Sequence, residues 1–331
     1  MEQQEYITRL RQAMEKKQYP AQYIQLCCTY AQTLINKNLP VFFDAQHINS
    51  VLRLGDIQED YYNRFIVKKG KKHRLITAPS KPLKLRQRWI LDNILSKIEI
   101  SEYAHGFAKN RSIVTNAVTH ISQPVAFCFD IKDFFPSIKE KSVADIFKNA
   151  GYSDSVSAKF ASLCCYEGVV PQGAPTSPYI ANVVCVTMDE ELAAMSQQLG
   201  ARYTRYADDI TISCDRDITP HMRDIENIIN AYGFQLNADK TRVFGENRPK
   251  FITGLVVGED IRIRKAFKRK LKQEIHFCKK FGVTVHLENS NNAKSINYKE
   301  HLYGKAYYVK MVEPELGIHF LKELDEIVWP I

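Results

Sequence analysis

The spacing of apolar and polar residues changes along the chain and separates helical regions from a mixed one. Apolar positions three to four residues apart are typical of helices, whereas short alternating or continuous apolar runs are typical of strands. In chain order, the predicted elements are helices over about 3–17 and 21–37, a hairpin near 64–78, a helix over about 84–98, a mixed helix–strand region over about 100–257 and a mostly helical tail from about 264. This order predicts an α+β fold.

Two apolar segments of the mixed region each place carboxylates at the end of a strand. Residues 125–131 form a β-branched and aromatic run, which predicts a buried strand that ends at Asp130. Residues 201–213 predict two short strands joined by a tight turn at the Ala207–Asp208 step. Because burying a carboxylate is costly unless a cation compensates it, both segments indicate a charged site.

The acidic pair Asp208–Asp209 differs from the pairs at 59–60, 190–191 and 259–260, because strand-like segments flank it closely. Two like charges in such a place repel each other unless a divalent metal neutralises them. The alternative is a hairpin turn without a role. Three carboxylates from two strands suit two Mg²⁺ ions, which prefer oxygen ligands. The residues therefore predict Asp130, Asp208 and Asp209 as ligands of two Mg²⁺ ions.

Positive charge is concentrated in two zones of this 331-residue chain, whose formal net charge is +9 and whose pI is about 9.0. Residues 64–91 carry ten Lys and Arg and no acidic residue, and residues 259–282 carry nine against three acidic residues. Each zone alone fits a solvated surface. Two basic zones on either side of an acidic centre favour a cleft that follows nucleic-acid phosphates.

The N-terminal residues and the cysteines indicate the cellular compartment of the protein. No basic segment precedes an apolar stretch at the start, and no apolar run approaches the length of a membrane span, so neither a signal peptide nor a membrane helix is expected. Eight cysteines include two adjacent pairs but no CxxC, which favours neither a zinc site nor a disulfide framework. Reduced thiols, a cytoplasmic location and no membrane partner are predicted.

The segment Tyr206-Ala-Asp-Asp209 resembles the Tyr-x-Asp-Asp box of reverse transcriptases. Other segments resemble further motifs of that family, in the family's order. They are residues 73–80 and 105–112 in the fingers, 129–137 around the first catalytic carboxylate, 171–178 at the substrate-binding loop, 237–241 at the next motif and 251–255 at the primer contact. The resemblance covers about residues 64–257 and implies an RNA-directed DNA polymerase, a nucleotidyltransferase that joins dNTPs to a primer.

Two features resemble the retron branch of that family. Asn116-Ala-Val-Thr-His120 is similar to the Asn-Ala-x-x-His signature, and Ile252-Thr-Gly254 is similar to the Val-Thr-Gly element with Ile in place of Val. The resemblance implies a cognate structured noncoding RNA (msr-msd) as template and primer, priming from a guanosine 2′-OH, a branched RNA–DNA product (msDNA), and antiviral defence with a separate effector protein. The alternatives are a reverse transcriptase of group II intron or abortive-infection type, or an RNA-binding scaffold or antitoxin whose polymerase is idle.

The resemblance also implies roles for individual residues. Catalysis falls to Asp130, Asp208 and Asp209, and metal contacts to the same residues with Ile131. The expected nucleotide-binding residues are Lys69, Arg74, Phe135, Gln172 and Lys240. Those expected to bind RNA are Asn116, His120, Ile252, Thr253, Gly254, Arg264, Lys268 and Lys272.

Several of these roles have a plainer alternative. The resemblance makes Phe135 the better candidate for a wall that excludes a ribose 2′-OH, and one of the adjacent residues Phe134 and Phe135 is expected in the core. Lys240 is either a surface lysine or the acid that protonates pyrophosphate. His120 either contacts RNA or has a structural role. Gly173, next to Gln172, is expected to let a ligand approach the backbone.

The implied fold is a right-hand polymerase with fingers, a palm built on an antiparallel sheet, and a helical thumb. The expected boundaries are an N-terminal helical region over 1–60, fingers and palm over about 61–124 and 139–200, the catalytic palm over 125–138 and 201–257, and an RNA-binding thumb over 258–331.

Overall fold

The computed structural model describes residues 2–53, 62–69, 72–246, 248–289 and 297–330. The N-terminal helices are α1 (Glu2–Lys16), α2 (Ala21–Asn36) and α3 (Ala45–Val51), and a two-stranded antiparallel ribbon of β1 (Tyr62–Lys69) and β2 (Lys72–Pro79) follows. These elements confirm the predicted helices and hairpin. Within the described ranges, every helix is too short or too polar to span a membrane.

The predicted helix over 84–98 is shifted in the structure. It is α4 (Lys81–Asn93), and a separate 3-10 turn covers Leu95–Lys97. Pro82 lies in the first turn, where a proline fits because the first helical N–H groups have no intrahelical partner. The expected start was therefore wrong by about one turn.

The central region alternates helices with four strands. Its elements are α5 (Ile113–Val118), β3 (Val125–Asp130), α6 (Phe134–Ser137), α7 (Glu140–Ala150), α8 (Asp154–Cys164), α9 (Ser177–Val184), α10 (Val186–Gln198), β4 (Arg202–Tyr206), β5 (Asp209–Cys214), α11 (Met222–Ala231) and β6 (Arg242–Phe244). The four strands form an antiparallel sheet in the order β4-β5-β3-β6, which we call the palm sheet.

The C-terminal region adds a small sheet and four helices. Its elements are β7 (Lys250–Ile252), β8 (Leu255–Val257), β9 (Ile261–Arg262), α12 (Lys265–Phe281), α13 (Val283–Glu288), α14 (Tyr298–Val312) and α15 (Pro314–Asp325). We call the helices α12–α15 the helical tail. They confirm the mostly helical end that the sequence predicts.

The palm sheet lies between two hydrophobic cores because side chains alternate along its strands. Phe127 and Phe129 of β3 join a large core with α7–α10, whereas Ala126 and Cys128 join a second core with β7, β8 and the helical tail. A fully buried large apolar side chain contributes roughly 1.5–3 kcal/mol relative to an exposed one. Both faces of β3 are thus fixed, and so is the position of Asp130 at its end.

Candidate active site

Three aspartates meet at one end of the palm sheet. Asp130 is the last residue of β3 and pairs in register with Asp209, the first residue of β5. Ala207 and Asp208 form the turn between β4 and β5, and the main-chain N–H of Ile131 donates to the carbonyl of Asp208 at 2.8 Å. The strand ends and the turn at Ala207–Asp208 are those that the sequence predicts.

The carboxylates repel one another in a partly dry site. Burial, and then the nearby charges of Asp208 and Asp130, raise the pKa of Asp209 to about 6, while Arg242 and Lys240 act in the opposite direction. The charged form of Asp209 is therefore under-compensated by protein cations. A divalent cation would remove this electrostatic penalty.

Lys240 contacts the first of these carboxylates. The segment 237–241 runs beside the end of β3, with the main-chain N–H of Asn237 donating to the carbonyl of Asp130 at 2.8 Å. This places the Lys240 Nζ 2.5 Å from Asp130 Oδ1. The lysine is thus a member of the aspartate cluster and not a surface lysine without a partner.

The donor set suits a hard divalent cation such as Mg²⁺, because it consists of carboxylate oxygens and the main-chain carbonyl that Ile131 can offer. In the described part of the chain, no group of three His, Cys, Asp or Glu side chains is arranged closely enough to hold a metal ion. The carboxylate of Asp130 is paired with the Lys240 ammonium in this structure. These residues can bind the metal if the carboxylate of Asp130 releases Lys240 and binds the cation in its place.

The two adjacent phenylalanines after β3 have different environments. Phe134 is 5% exposed and packs against Phe234 with ring centroids 5.6 Å apart. Phe135 is half-buried, and its ring centroid lies 6.5 Å from that of the exposed Phe107. Phe134 therefore belongs to the core, which leaves Phe135 as the residue that can border a substrate.

The loop at 171–178 packs against the ribbon. The Gln172 carbonyl accepts from the Thr77 N–H at 2.9 Å, and Gly173 has a φ of +136°. A Cβ at Gly173 would lie 2.9 Å from the Thr77 carbonyl oxygen. The absence of a Cβ at Gly173 thus lets β2 approach closely, and the approach of a ligand to this backbone stays a prediction. The helix that follows begins at Ser177, with Pro178 in its first turn.

Lys69 and Arg74 lie on the ribbon, where Arg74 pairs with Val67 in the antiparallel register and Lys69 pairs with Lys72. The side chains of Lys69 and Arg74 lie outside the described part of the structure. Their nucleotide-binding role stays a prediction.

The comparisons with known proteins agree with this geometry. A family model described as reverse transcriptase (RNA-dependent DNA polymerase) matches residues 66–271. The chain is 35% identical over 229 residues to the retron Ec86 reverse transcriptase of Escherichia coli, an alignment that covers 67% of this chain and 72% of that protein. This chain belongs to the reverse transcriptase family, and to its retron type.

Two further relatives are also retron reverse transcriptases. The Mx162 enzyme of Myxococcus xanthus is 32% identical over 308 residues, covering 82% of this chain and 62% of that protein. The Ec73 enzyme of Escherichia coli is 30% identical over 290 residues, covering 80% of this chain and 87% of that protein. The chain thus spans about three fifths of the length of the Mx162 protein. Family membership confirms the α+β right-hand fold that the motifs imply.

The two defining residues of the retron signature, Asn116 on α5 and His120 just after it, are buried. The His120 ring has no exposed surface, and its nitrogens lie 2.7 Å from Ser213 Oγ and 2.8 Å from Thr204 Oγ1. Burial lowers the pKa of His120 to about 3, so the ring is neutral at pH 7. Of the two roles left open for His120, this geometry favours the structural one.

Asn116 links α5 to the second retron element. Its Nδ2 lies 3.5 Å from Thr253 Oγ1, and its buried Oδ1 has no partner. Thr253 and Gly254 form the turn between β7 and β8, with φ values of +44° and +86°, whereas Ile252 is fully buried. Thr253 and Gly254 can therefore reach RNA, but the Ile252 side chain cannot do so in this conformation.

A cleft of about 230 Å³ connects this turn with the catalytic residues. Its walls include Asp209 and Tyr206 on one side and Thr253 and Gly254 on the other. It is also lined by Arg242 and Arg264, whose guanidinium lies 4.6 Å from the Phe251 ring centroid. The sequence reasoning missed Arg242, although its position just after the 237–241 motif could have indicated it.

The expectation for Lys268 needs correction. Its Nζ is bound to both carboxylate oxygens of Glu313, at 2.9 and 2.8 Å, and Glu313 also accepts from the Ile263 N–H. Lys268 lies one helical turn before the buried Leu271, so it falls on the inner face of α12. The exposed basic face, which we call the α12 stripe, consists of Lys265, Arg269, Lys272, His276 and Lys279. Lys265 and Arg269 belong to the basic zone at 259–282 that the sequence indicates, and the helix places them on one face with Lys272.

Proposed function

We propose that this chain is the RNA-directed DNA polymerase of a retron, joining deoxynucleotides from dNTPs to a primer hydroxyl with release of pyrophosphate. The in-register pair Asp130–Asp209, with Asp208 in the adjoining turn, carries the proposal. It gathers three carboxylates at the end of one sheet in a chain of the reverse transcriptase family. Nucleotidyl transfer needs this arrangement because charge develops on both the attacking and the leaving oxygen.

Asp130, Asp208, Asp209 and the Ile131 carbonyl are the proposed ligands of two Mg²⁺ ions. When bound, such ions lower the pKa of the attacking hydroxyl and stabilise the leaving pyrophosphate. Lys240 lies beside Asp130, where its ammonium can give a proton to the leaving pyrophosphate. Phe135 borders the sugar and excludes a 2′-OH by steric clash. Lys69, Arg74 and Gln172 hold the incoming nucleotide.

The proposed template and primer is a cognate structured noncoding RNA (msr-msd). Primed from a guanosine 2′-OH, its partial copying gives msDNA, a branched RNA–DNA molecule that acts with a separate effector protein in antiviral defence in the cytoplasm. Thr253, Gly254 and the basic residues Arg264 and Lys272 contact this RNA, whereas Asn116, His120, Ile252 and Lys268 support the contact surface from within.

The domain assignments follow the same proposal. We assign an N-terminal helical region to 1–60, fingers and palm to about 61–124 and 139–200, the catalytic palm to 125–138 and 201–257, and the thumb to 258–331. The two cores support it, because the palm sheet belongs to both and the helical tail only to the second.

Sequencing of nucleic acid that co-purifies with the protein tests the retron assignment. We expect one structured RNA joined covalently to a DNA strand complementary to part of it, with the junction at a guanosine 2′ position. The Asp209→Asn variant should carry the same RNA without DNA. A heterogeneous RNA population without attached DNA, identical for wild type and variant, would contradict the proposal.

A further inference from the structure

A fully buried arginine lies behind the catalytic turn. The side chain of Arg205, in β4, has no exposed surface, and its Nε and Nη2 donate to the two carboxylate oxygens of Asp189 at 2.7 Å each. The Tyr203 hydroxyl donates to the same carboxylate at 2.7 Å. A buried ion pair is weak evidence for stability, because apolar residues of similar volume often serve as well. The presence of a buried Arg205–Asp189 ion pair therefore requires an explanation other than stability.

The remaining guanidinium nitrogen reaches the catalytic turn itself. Arg205 Nη1 donates to the Ala207 carbonyl at 3.2 Å and to Asn182 Oδ1 at 3.1 Å. Ala207 has a φ of +59°, a left-handed conformation that costs roughly 1–2 kcal/mol for a residue with a Cβ. Its carbonyl belongs to the peptide that leads into Asp208. Arg205 thus holds a strained peptide directly before the catalytic pair.

The loop at His105 and Gly106 also contacts this turn. The His105 N–H donates to the Arg205 carbonyl at 2.7 Å, and Asn182 Nδ2 donates to the Gly106 carbonyl at 2.8 Å. A Cβ at Gly106 would lie 2.5 Å from the Ala207 nitrogen. Asn182 therefore joins the loop and the guanidinium into one network around the turn.

We propose that Arg205 is a positioning residue for nucleotidyl transfer: through the Ala207 carbonyl it fixes the turn in the conformation that presents Asp208 and Asp209 to the metal ions. This inference rests on the proposed polymerase function. It gives the buried Arg205–Asp189 pair a role beyond folding, and it makes Gly106 a second determinant of where the two carboxylates lie.

The Gly106→Ala variant tests the position of the turn without disturbing the buried ion pair. Gly106 does not have a positive φ, so alanine suits its backbone, and the new Cβ presses on the main chain of Tyr206 and Ala207. We expect the rate at saturating dNTP to fall about 10- to 100-fold, since a misplacement of about 1 Å can cost 10² in rate. The dNTP KM and RNA affinity should remain close to wild type, whereas Tm should fall, because the added methyl group meets main-chain atoms in a packed site. Gly245→Ala, whose new Cβ meets open space, is the matched control.

The Arg205→Lys variant tests the arginine through metal binding as well as rate. Lysine keeps the charge beside Asp189, but its single nitrogen cannot replace both the Nε–Nη2 fork on Asp189 and the Nη1 bonds to Ala207 and Asn182. We expect weaker Mn²⁺ binding by electron paramagnetic resonance, by about tenfold, and a rate that rises with added Mn²⁺. Tyr203→Phe is the control, because it removes a bond to the same Asp189 without touching the turn.

Two results would overturn the inference. One is Gly106→Ala behaving as Gly245→Ala in rate, which alone decides the matter if Arg205→Lys does not fold. The other is folded Arg205→Lys matching Tyr203→Phe in both Mn²⁺ affinity and rate. Failure of the proposed polymerase function would give a different result, because the wild type would then make no DNA. The Mn²⁺ affinities of wild type and variants could still be measured and compared in that case.

Discussion

The Nζ of Lys240 lies 2.5 Å from Oδ1 of Asp130, so a protein cation is bound to a carboxylate that is a proposed metal ligand. Lysine and metal compete for the same oxygen in this arrangement. The lysine is 40% exposed and the aspartate 12%, so the pair is only partly screened by solvent. Release of Asp130 to the metal frees the ammonium next to the place where pyrophosphate leaves.

The Lys240→Met variant separates these two roles. We expect the Mg²⁺ concentration for half-maximal rate to fall about two- to fivefold, because a partly exposed ion pair is worth up to ~1 kcal/mol. The maximal rate should nevertheless fall about 100-fold if the ammonium is the proton donor. Single-turnover incorporation across a Mg²⁺ series measures both, with Lys141→Met on the exposed face of α7 as the control. An unchanged Mg²⁺ dependence would show that the ion pair does not compete with the metal.

The raised pKa of Asp209 predicts how the stability of the metal-free protein depends on pH. Its pKa of about 6 lies above the ordinary value of 3.8, so the folded protein binds this proton more tightly than the unfolded chain. The contribution of Asp209 therefore favours folding at low pH and is lost as pH rises from about 4 to 6. With EDTA present, Asp209→Asn should raise Tm at pH 7 by a few degrees, whereas the exposed Asp215→Asn should not. A lower Tm for Asp209→Asn would refute the repulsion.

Phe135→Val should admit ribonucleotides. The smaller side chain leaves space for a 2′-OH, and the half-buried position limits the loss of stability. Phe134→Leu, a change in the core residue next to it, should lower Tm without altering sugar choice. Single-nucleotide extension with matched rNTP and dNTP gives the selectivity. If only Phe134→Leu relaxed the selectivity, then Phe134 and not Phe135 would be the wall that excludes the 2′-OH.

The α12 stripe should supply phosphate contacts to the cognate RNA. Changing Lys265, Arg269 and Lys272 together to Gln should weaken RNA binding. The slope of log K against log salt should fall by roughly two to three, since each lost contact removes about 0.7–0.9. Lys268 is left intact because its partner is Glu313. The control changes Lys270, Lys310 and Lys322 to Gln, which removes the same charge from other exposed positions of the helical tail.

Equal salt slopes for the stripe variant and its control would show only a general effect of net charge. DNA synthesis on a saturating generic template should survive in both variants, because the three aspartates lie on the palm sheet.

The sequence predicts most of the catalytic centre because its strand and turn can be recognised from short segments of neighbouring residues. A strand that ends at Asp130 and a turn at Ala207–Asp208 follow from strand-forming runs and turn residues. The register that joins Asp130 to Asp209 depends on pairing between distant segments, and here the family resemblance was needed. The network around Arg205 could not be foreseen, because Asn182 and Asp189 lie on two helices, Gly106 lies far away in sequence, and they meet Arg205 only through tertiary packing.

The RNA-binding residues, in contrast, could not be assigned from the sequence alone. Motif matching assigned His120 and Ile252 to RNA contact, but motifs do not reveal burial, and both side chains are fully buried. A basic residue such as Lys268 likewise cannot be told from an RNA contact without knowing that Glu313 lies beside it.

Mg²⁺-dependent DNA synthesis on the co-purified RNA, compared between wild type and the Asp208→Asn and Asp209→Asn variants, tests the central claim most directly. The account predicts dNTP incorporation by wild type only, with both variants folded and binding the RNA as wild type does, because these carboxylates serve the metal and not the core. Substantial Mg²⁺-dependent synthesis by both variants would contradict it.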